Sequence, residues 1–264
     1  MITLVARSFG RIAGPFAAIL MVLSGFQLAL VAVAASLARS GNFDRLAQIV
    51  PAALQPAIAP ALTSFGRMTT VGYFDVLIVM LVAQWAIYVA TEPAGEIESG
   101  LVDLLLARPM PRNRLVTRSL VVMIASTAML TLAMGVGTLV GLSLLAPPGT
   151  AWPEVRVVLL MMAHLMLVAW CFGAAGLAAA GWARRRASAL APVAIAAVAL
   201  YLVDVLGLWW KPAEALAHLS PSFYFHGGPI LAGTADSVRN LSVLGVATVS
   251  ATALAYWRFG RRDL

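Results

Sequence analysis

The chain has 264 residues, of which 61% are hydrophobic and only 11% charged, against roughly 45–50% and 25% in an ordinary soluble domain. That balance excludes a soluble globular enzyme, and the apolar residues come in six long runs, each able to supply the roughly 20 residues that cross a bilayer. The net charge of +7 arises from basic residues flanking these runs rather than from a solvated patch with aromatic or polar partners, so no nucleic-acid partner is expected.

The first predicted span covers about 12–38, behind Arg7 and Arg11. Ala32-Val33-Ala34 has the small residues of a signal cleavage site, but the apolar stretch is longer than the roughly 7–15 residues of a secretory h-region, which favours an uncleaved span. The loop from 39 to 72 carries Pro51, Pro56 and Pro60 and receives no fold assignment. Span 2 is expected at about 71–91, with Asp75 near its start and Gln84 inside it. Span 3, at about 119–146, is stopped by Pro147-Pro148-Gly149. Span 4, about 157–183, contains His164 and the single cysteine, Cys171, which excludes an intrachain disulfide or a Cys-based zinc cluster. Span 5 is expected at about 187–210 with Asp204 inside it, followed by an outer re-entrant or interfacial segment at about 212–236 and span 6 at about 240–257.

The fold class is therefore all-α, a single polytopic membrane domain over residues 1–264 whose even number of spans returns both termini to one side. Lys and Arg concentrate on the cytoplasmic side of membrane proteins. With the N-terminus inside, twelve of the 18 basic residues fall on inner segments and six on outer loops, which places both termini in the cytoplasm.

Between spans 2 and 3, Ile97, Leu101, Leu104 and Leu105 repeat at helical spacing, while Glu96, Ser99 and Asp103 fall on another face. About three turns of amphipathic helix, over about 94–108, fit this pattern. Acids at its start and Arg108 at its end suit the helix dipole, and Pro109 and Pro111 stop it. Periodicity leaves two readings open: a helix resting on lipid headgroups or one inserted into a partner's groove.

The stretch Glu92-x-x-x-Glu96-x-Glu98-x-Gly100-x-x-Asp103-Leu104-Leu105-Leu106-Ala107-Arg108-Pro109-x-x-Arg112 resembles the signature of ABC-2 type transporter permeases, the membrane subunits of ABC exporters. Leu219-Ser220-Pro221-Ser222-Phe223-Tyr224, with Pro229 and Gly233, and the ending Phe259-Gly260-Arg261-Arg262-Asp263-Leu264 extend the similarity along the chain. The resemblance implies a coupling helix whose ATPase-contacting residues are Glu92, Glu96, Glu98, Gly100, Asp103, Leu104, Leu105, Arg108, Pro109 and Arg112. It also implies two copies of a cytoplasmic ABC ATPase subunit, a second permease copy forming a homodimer, and location in a bacterial cytoplasmic (inner) membrane. ATP and Mg would bind that partner ATPase, with no cofactor on this chain. In agreement with that division of labour, the only lysine is Lys211, so no phosphate-binding loop ending in Gly-Lys-Ser or Gly-Lys-Thr can form here.

No catalytic residue or metal ligand set is expected. An intramembrane enzyme is the rival from another class, but His-Glu-x-x-His and Gly-x-Ser-Gly are absent; an ATPase-independent channel or scaffold subunit is the third reading. His218 and His226, eight apart without a Cys or carboxylate cluster, make a weak metal pattern. Gln84, His164 and Asp204 stand as pathway residues or interhelix polar contacts. The triple Arg184-Arg185-Arg186 reads as an anchor on anionic lipid, with an ATPase contact as the alternative. Gly137-x-x-x-Gly141 permits close helix crossing or is a chance match in a Gly- and Ala-rich span.

Overall fold

The computed structural model describes residues 2–41, 59–100, 113–208 and 210–261. Six of its helices are long and apolar enough to cross a membrane: Leu4–Ser40, Phe65–Ala90, Asn113–Leu145, Val155–Ala180, Arg186–Gly207 and Ser237–Gly260. They are spans 1 to 6 below. No strand occurs among the described residues.

Several helices run beyond the charge-free windows of the sequence. Span 1 belongs to a helix from Ile2 to Ser40 that contains Arg7, Arg11 and Pro15, and span 3 starts at Asn113, taking in Arg114 and Arg118. A charge does not end a helix whose backbone bonds are internally satisfied; it only needs water or a counter-charge for its own head group. Span 6 gains a turn at its start because the Asp236 side chain accepts a bond from Arg239 N at 3.1 Å, the usual N-cap arrangement.

Span 2 is built in three pieces, Phe65–Met68, Val71–Phe74 and Val76–Ala90. Asp75 lies at the second break with ψ of 134°, and its carboxylate accepts from Leu77 N at 2.9 Å and Ile78 N at 3.4 Å. The acid therefore caps the long piece. At the first break, the buried Gln27 of span 1 donates from Nε2 to Thr69 O at 3.0 Å. This satisfies a carbonyl that the interrupted helix leaves free, a requirement inside a bilayer.

Span 4 lies at the centre and packs against spans 2, 3, 5 and 6, while span 1 lies along span 3. A side chain at Gly137 would come 3.1 Å from Ser24 O, and one at Gly141 would come 3.0 Å from Val31 Cβ, so the glycine pair lets spans 1 and 3 approach closely. Because lipid tails are as apolar as leucine, packing of this kind and interhelical hydrogen bonds carry helix association in membranes. Trp85 Nε1 donates to Ser126 Oγ at 3.1 Å, Trp170 Nε1 to Thr127 Oγ1 at 2.6 Å, and Tyr73 OH lies 2.9 Å from Thr138 Oγ1. Span 3 thus offers small hydroxyls to aromatics of spans 2 and 4. Outward faces carry Met21, Leu139, Ile195 and Val249, all exposed, as suits lipid-facing positions.

After span 5 come three short helices, Lys211–Ala217, Pro221–Tyr224 (a 3-10 turn) and Gly227–Ala232, the last ended by Gly233 at φ 72°. The first packs on span 5, and the next two reach spans 4 and 5 and the helices at the start of span 2.

Candidate functional site

At the end of span 2 the chain turns at Thr91 into a helix from Glu92 to Glu98, with Pro93 in its first turn, where a missing N–H costs nothing. The helix begins two residues before the expected 94 and gives way at Gly100, whose φ is 68°, a conformation that favours glycine. Leu101 to Arg112 lie outside the described residues, and with them Asp103, Leu104, Leu105, Arg108, Pro109 and Arg112.

Glu92 and Glu96 stand four residues apart and share one helix face. Periodicity places Glu96 with the polar residues, yet it is only 2% exposed. The reason is two arginines from other spans. Arg118 of span 3, itself 1% exposed, donates from Nη1 to Glu96 Oε1 at 2.9 Å and from Nη2 to Glu96 Oε2 at 2.7 Å. Arg11 of span 1 reaches Glu96 Oε1 at 2.7 Å and Glu92 Oε1 at 2.8 Å through one Nη2. Glu92 Oε2 lies 3.7 Å from Arg118 Nη2 and has no closer partner. Two carboxylates and two guanidiniums make a neutral cluster, with the planar two-point pairing in which Arg holds carboxylates most strongly. Their like-charge repulsion within one turn is thereby offset.

The opposite side of the helix is tied to span 5. Glu98 accepts from Arg186 N at 2.9 Å, at the first residue of that span. The Arg186 guanidinium lies 4.0 Å over the Tyr88 ring and donates to Tyr88 O at 2.7 Å. Gly95 makes room for it, since a Cβ there would meet Arg186 Cδ at 3.2 Å. The arginine triple is therefore divided: Arg184 and Arg185 are exposed, while Arg186 is half-buried against span 2 and the loop helix. A cleft of about 380 Å³ runs beside the helix between Arg11, Tyr88, Ser99 and Arg186.

The arrangement is a junction of four spans. One short helix is fastened to span 1 by Arg11, to span 3 by Arg118, and to span 5 by Arg186, and it continues span 2 through Thr91. The sequence pattern singles out the acids, whereas in it Arg11 and Arg118 read as topology charges and Arg186 as a lipid anchor or an ATPase contact. The available signal was charge balance, because an i, i+4 acid pair folded against a bundle requires two cations.

The remaining polar candidates lie elsewhere. Gln84 Nε2 donates to Ala194 O at 3.2 Å, joining spans 2 and 5. His164 is fully buried in span 4; its Nδ1 donates to Leu160 O at 2.7 Å, its ring stacks on Phe225 at 5.6 Å, and its Nε2 has no partner. Asp204, 5% exposed, lies 3.2 Å from His226 Nε2. His218 is exposed and packs on Phe223 at 4.2 Å. Among the described residues no group of three or more His, Cys, Asp or Glu is placed to hold a metal ion.

No curated protein and no solved structure matches the chain. A family model described as ABC-2 family transporter protein matches residues 16–264. With that match over nearly the whole length and six bilayer-crossing helices, the chain belongs to the ABC-2 transporter family and is a membrane permease of ABC transporters.

Proposed function

We propose that this permease is the membrane half of an ATP-driven exporter and that force enters it through the Glu92–Glu98 helix. The observation that carries the reading is the fastening of that helix to spans 1, 3 and 5 through Arg11, Arg118 and Arg186. A push on one rigid element is then delivered to four spans at once. ATP and Mg bind two copies of a separate cytoplasmic ATPase, and its closure around ATP favours one packing of the spans over another, a population shift driven by differential binding. Two copies of the permease face each other across the pathway, alternating between inward-open and outward-open states. Both termini and the loop helix face the cytoplasm of a bacterial cell, in keeping with the twelve-to-six distribution of basic residues.

In this division of roles, Glu92 and Glu96 hold the joint together and the ATPase contact belongs to Glu98, Gly100 and the segment with Asp103, Leu104, Leu105, Arg108, Pro109 and Arg112. The test is copurification. A tagged chain, expressed in its native host, should retrieve an ABC ATPase in equal amount, and Asp103→Lys should sharply reduce the recovery. Full ATPase occupancy in that variant, or none with the wild type, would overturn the assignment.

A further inference from the structure

At the end of the bundle opposite the Glu92–Glu98 helix, a cavity of about 530 Å³ opens between span 2, span 5 and the segment 222–229. Its walls are mostly apolar, with Phe74, Val79, Tyr201 and Phe225 among them. Gly227 is part of the wall and has no side chain where the Phe74 ring lies against it. Three ionisable groups other than tyrosine border the space: Asp75, Asp204 and His226. Asp75 is already committed as the cap of span 2.

Asp204 is different. It sits in the last two turns of span 5, where an acid is disfavoured unless protein or water receives it. It is 5% exposed, and Oδ1 takes no hydrogen bond from any described residue. His226 Nε2 is 3.2 Å away but lacks hydrogen-bond geometry, and the imidazole is one-third exposed. A carboxylate oxygen is thus buried at an apolar cavity with its hydrogen-bonding capacity unused. No Lys or Arg occurs among the described residues that line the space, so the site offers nothing to an anion beyond one histidine. It offers a cation one carboxylate, the field of a second, and aromatic side chains for cation–π contact.

We propose that this cavity binds lipophilic organic cations, with Asp204 as the counter-charge, and that such compounds are a cargo class of the transporter. The cargo clause rests on the permease reading above; the binding clause does not. Apolar bulk fills the cavity, and the positive centre pairs with Asp204 in place of His226. A neutral compound of the same size gains only the apolar term.

Binding is tested on the purified full chain in nanodiscs, using rhodamine 6G fluorescence with empty nanodiscs subtracted. Tetraphenylphosphonium and tetraphenylborate serve as competitors matched in size and opposite in charge. Wild type should bind the dye saturably, and tetraphenylphosphonium should displace it while tetraphenylborate should not. Asp204→Asn should weaken binding by about tenfold or more, the scale of a lost contact to a charged group, and Asp204→Glu should retain it. Val205→Trp, on the cavity wall, should abolish binding. The proposal fails if well-folded Asp204→Asn binds as tightly as wild type, if both competitors displace the dye equally, or if no saturable binding exceeds that of empty discs. Should Asp204→Asn not fold, Asp204→Glu and the competitor pair still decide. None of these readouts involves the ATPase, so failure here and failure of the coupling assignment are separate results.

Discussion

Arg118 and Glu96 meet through two parallel hydrogen bonds of 2.9 and 2.7 Å, with both side chains 2% exposed. Removing one partner leaves the other charged and desolvated, at a cost of about 3–5 kcal/mol. Arg118→Met leaves two acids facing Arg11 alone, and this variant should unfold at a clearly lower temperature in detergent. Adding Glu96→Leu restores neutrality, with Glu92 against Arg11. The double variant should regain most of the loss, and a double variant no more stable than the single one would show that the pair is not the source of the effect.

Arg186 should behave unlike its two neighbours. Arg186→Ala removes the contact over Tyr88 and the bond to Tyr88 O, worth about 1–2 kcal/mol together at a half-exposed site. Arg186→Lys keeps the charge but loses the planar stacking and should fall between alanine and wild type. Arg184→Ala and Arg185→Ala should change thermal stability little. Equal effects at all three positions would mean that the triple acts only as a charged band.

Gly137→Leu tests the seam between spans 1 and 3. The added side chain meets backbone at Ser24 O, which cannot swing aside as a side chain can, so the variant should lose about 1–3 kcal/mol by overpacking. Gly245, with nothing within 4 Å of its missing Cβ, provides the comparison in span 6, and Gly245→Leu should be mild. Comparable losses at the two sites would remove the seam as the explanation.

Orientation is open to direct labelling. In a Cys171→Ala background, Ser99→Cys places a thiol at the exposed end of the loop helix, and Thr234→Cys places one at the other end of the bundle. An impermeant maleimide should modify the Ser99 variant only when the cytoplasmic face of sealed vesicles is accessible, and the Thr234 variant only from the opposite face. Labelling of Ser99→Cys from outside intact cells would invert the topology and detach the loop helix from any cytoplasmic ATPase.

The number and order of the spans were legible in the amino-acid sequence because transfer of an apolar run into hydrocarbon is decided by composition over about 20 neighbouring positions. The acids Glu92, Glu96 and Glu98 and the glycine at 100 could be picked out for a similar reason: they are adjacent in the chain and carry a recognisable pattern. Which residues answer those acids was not legible. Arg118 is 22 positions from Glu96 and Arg11 is 85 away, and both looked like flanking charges of their own spans.

The same boundary separates the two ends of the molecule. Hydropathy alone determined that Asp204 lies within a bilayer-crossing run, and charge distribution set an expected orientation. Only tertiary structure decided that Asp204 borders a cavity beside His226, that Asp75 spends its carboxylate as a cap, and that Gly137 and Gly141 face span 1. Solvation acts position by position and is written locally in the chain. Charge pairing, cavity shape and close helix contact depend on which distant side chains the packed helices bring within a few ångströms of one another.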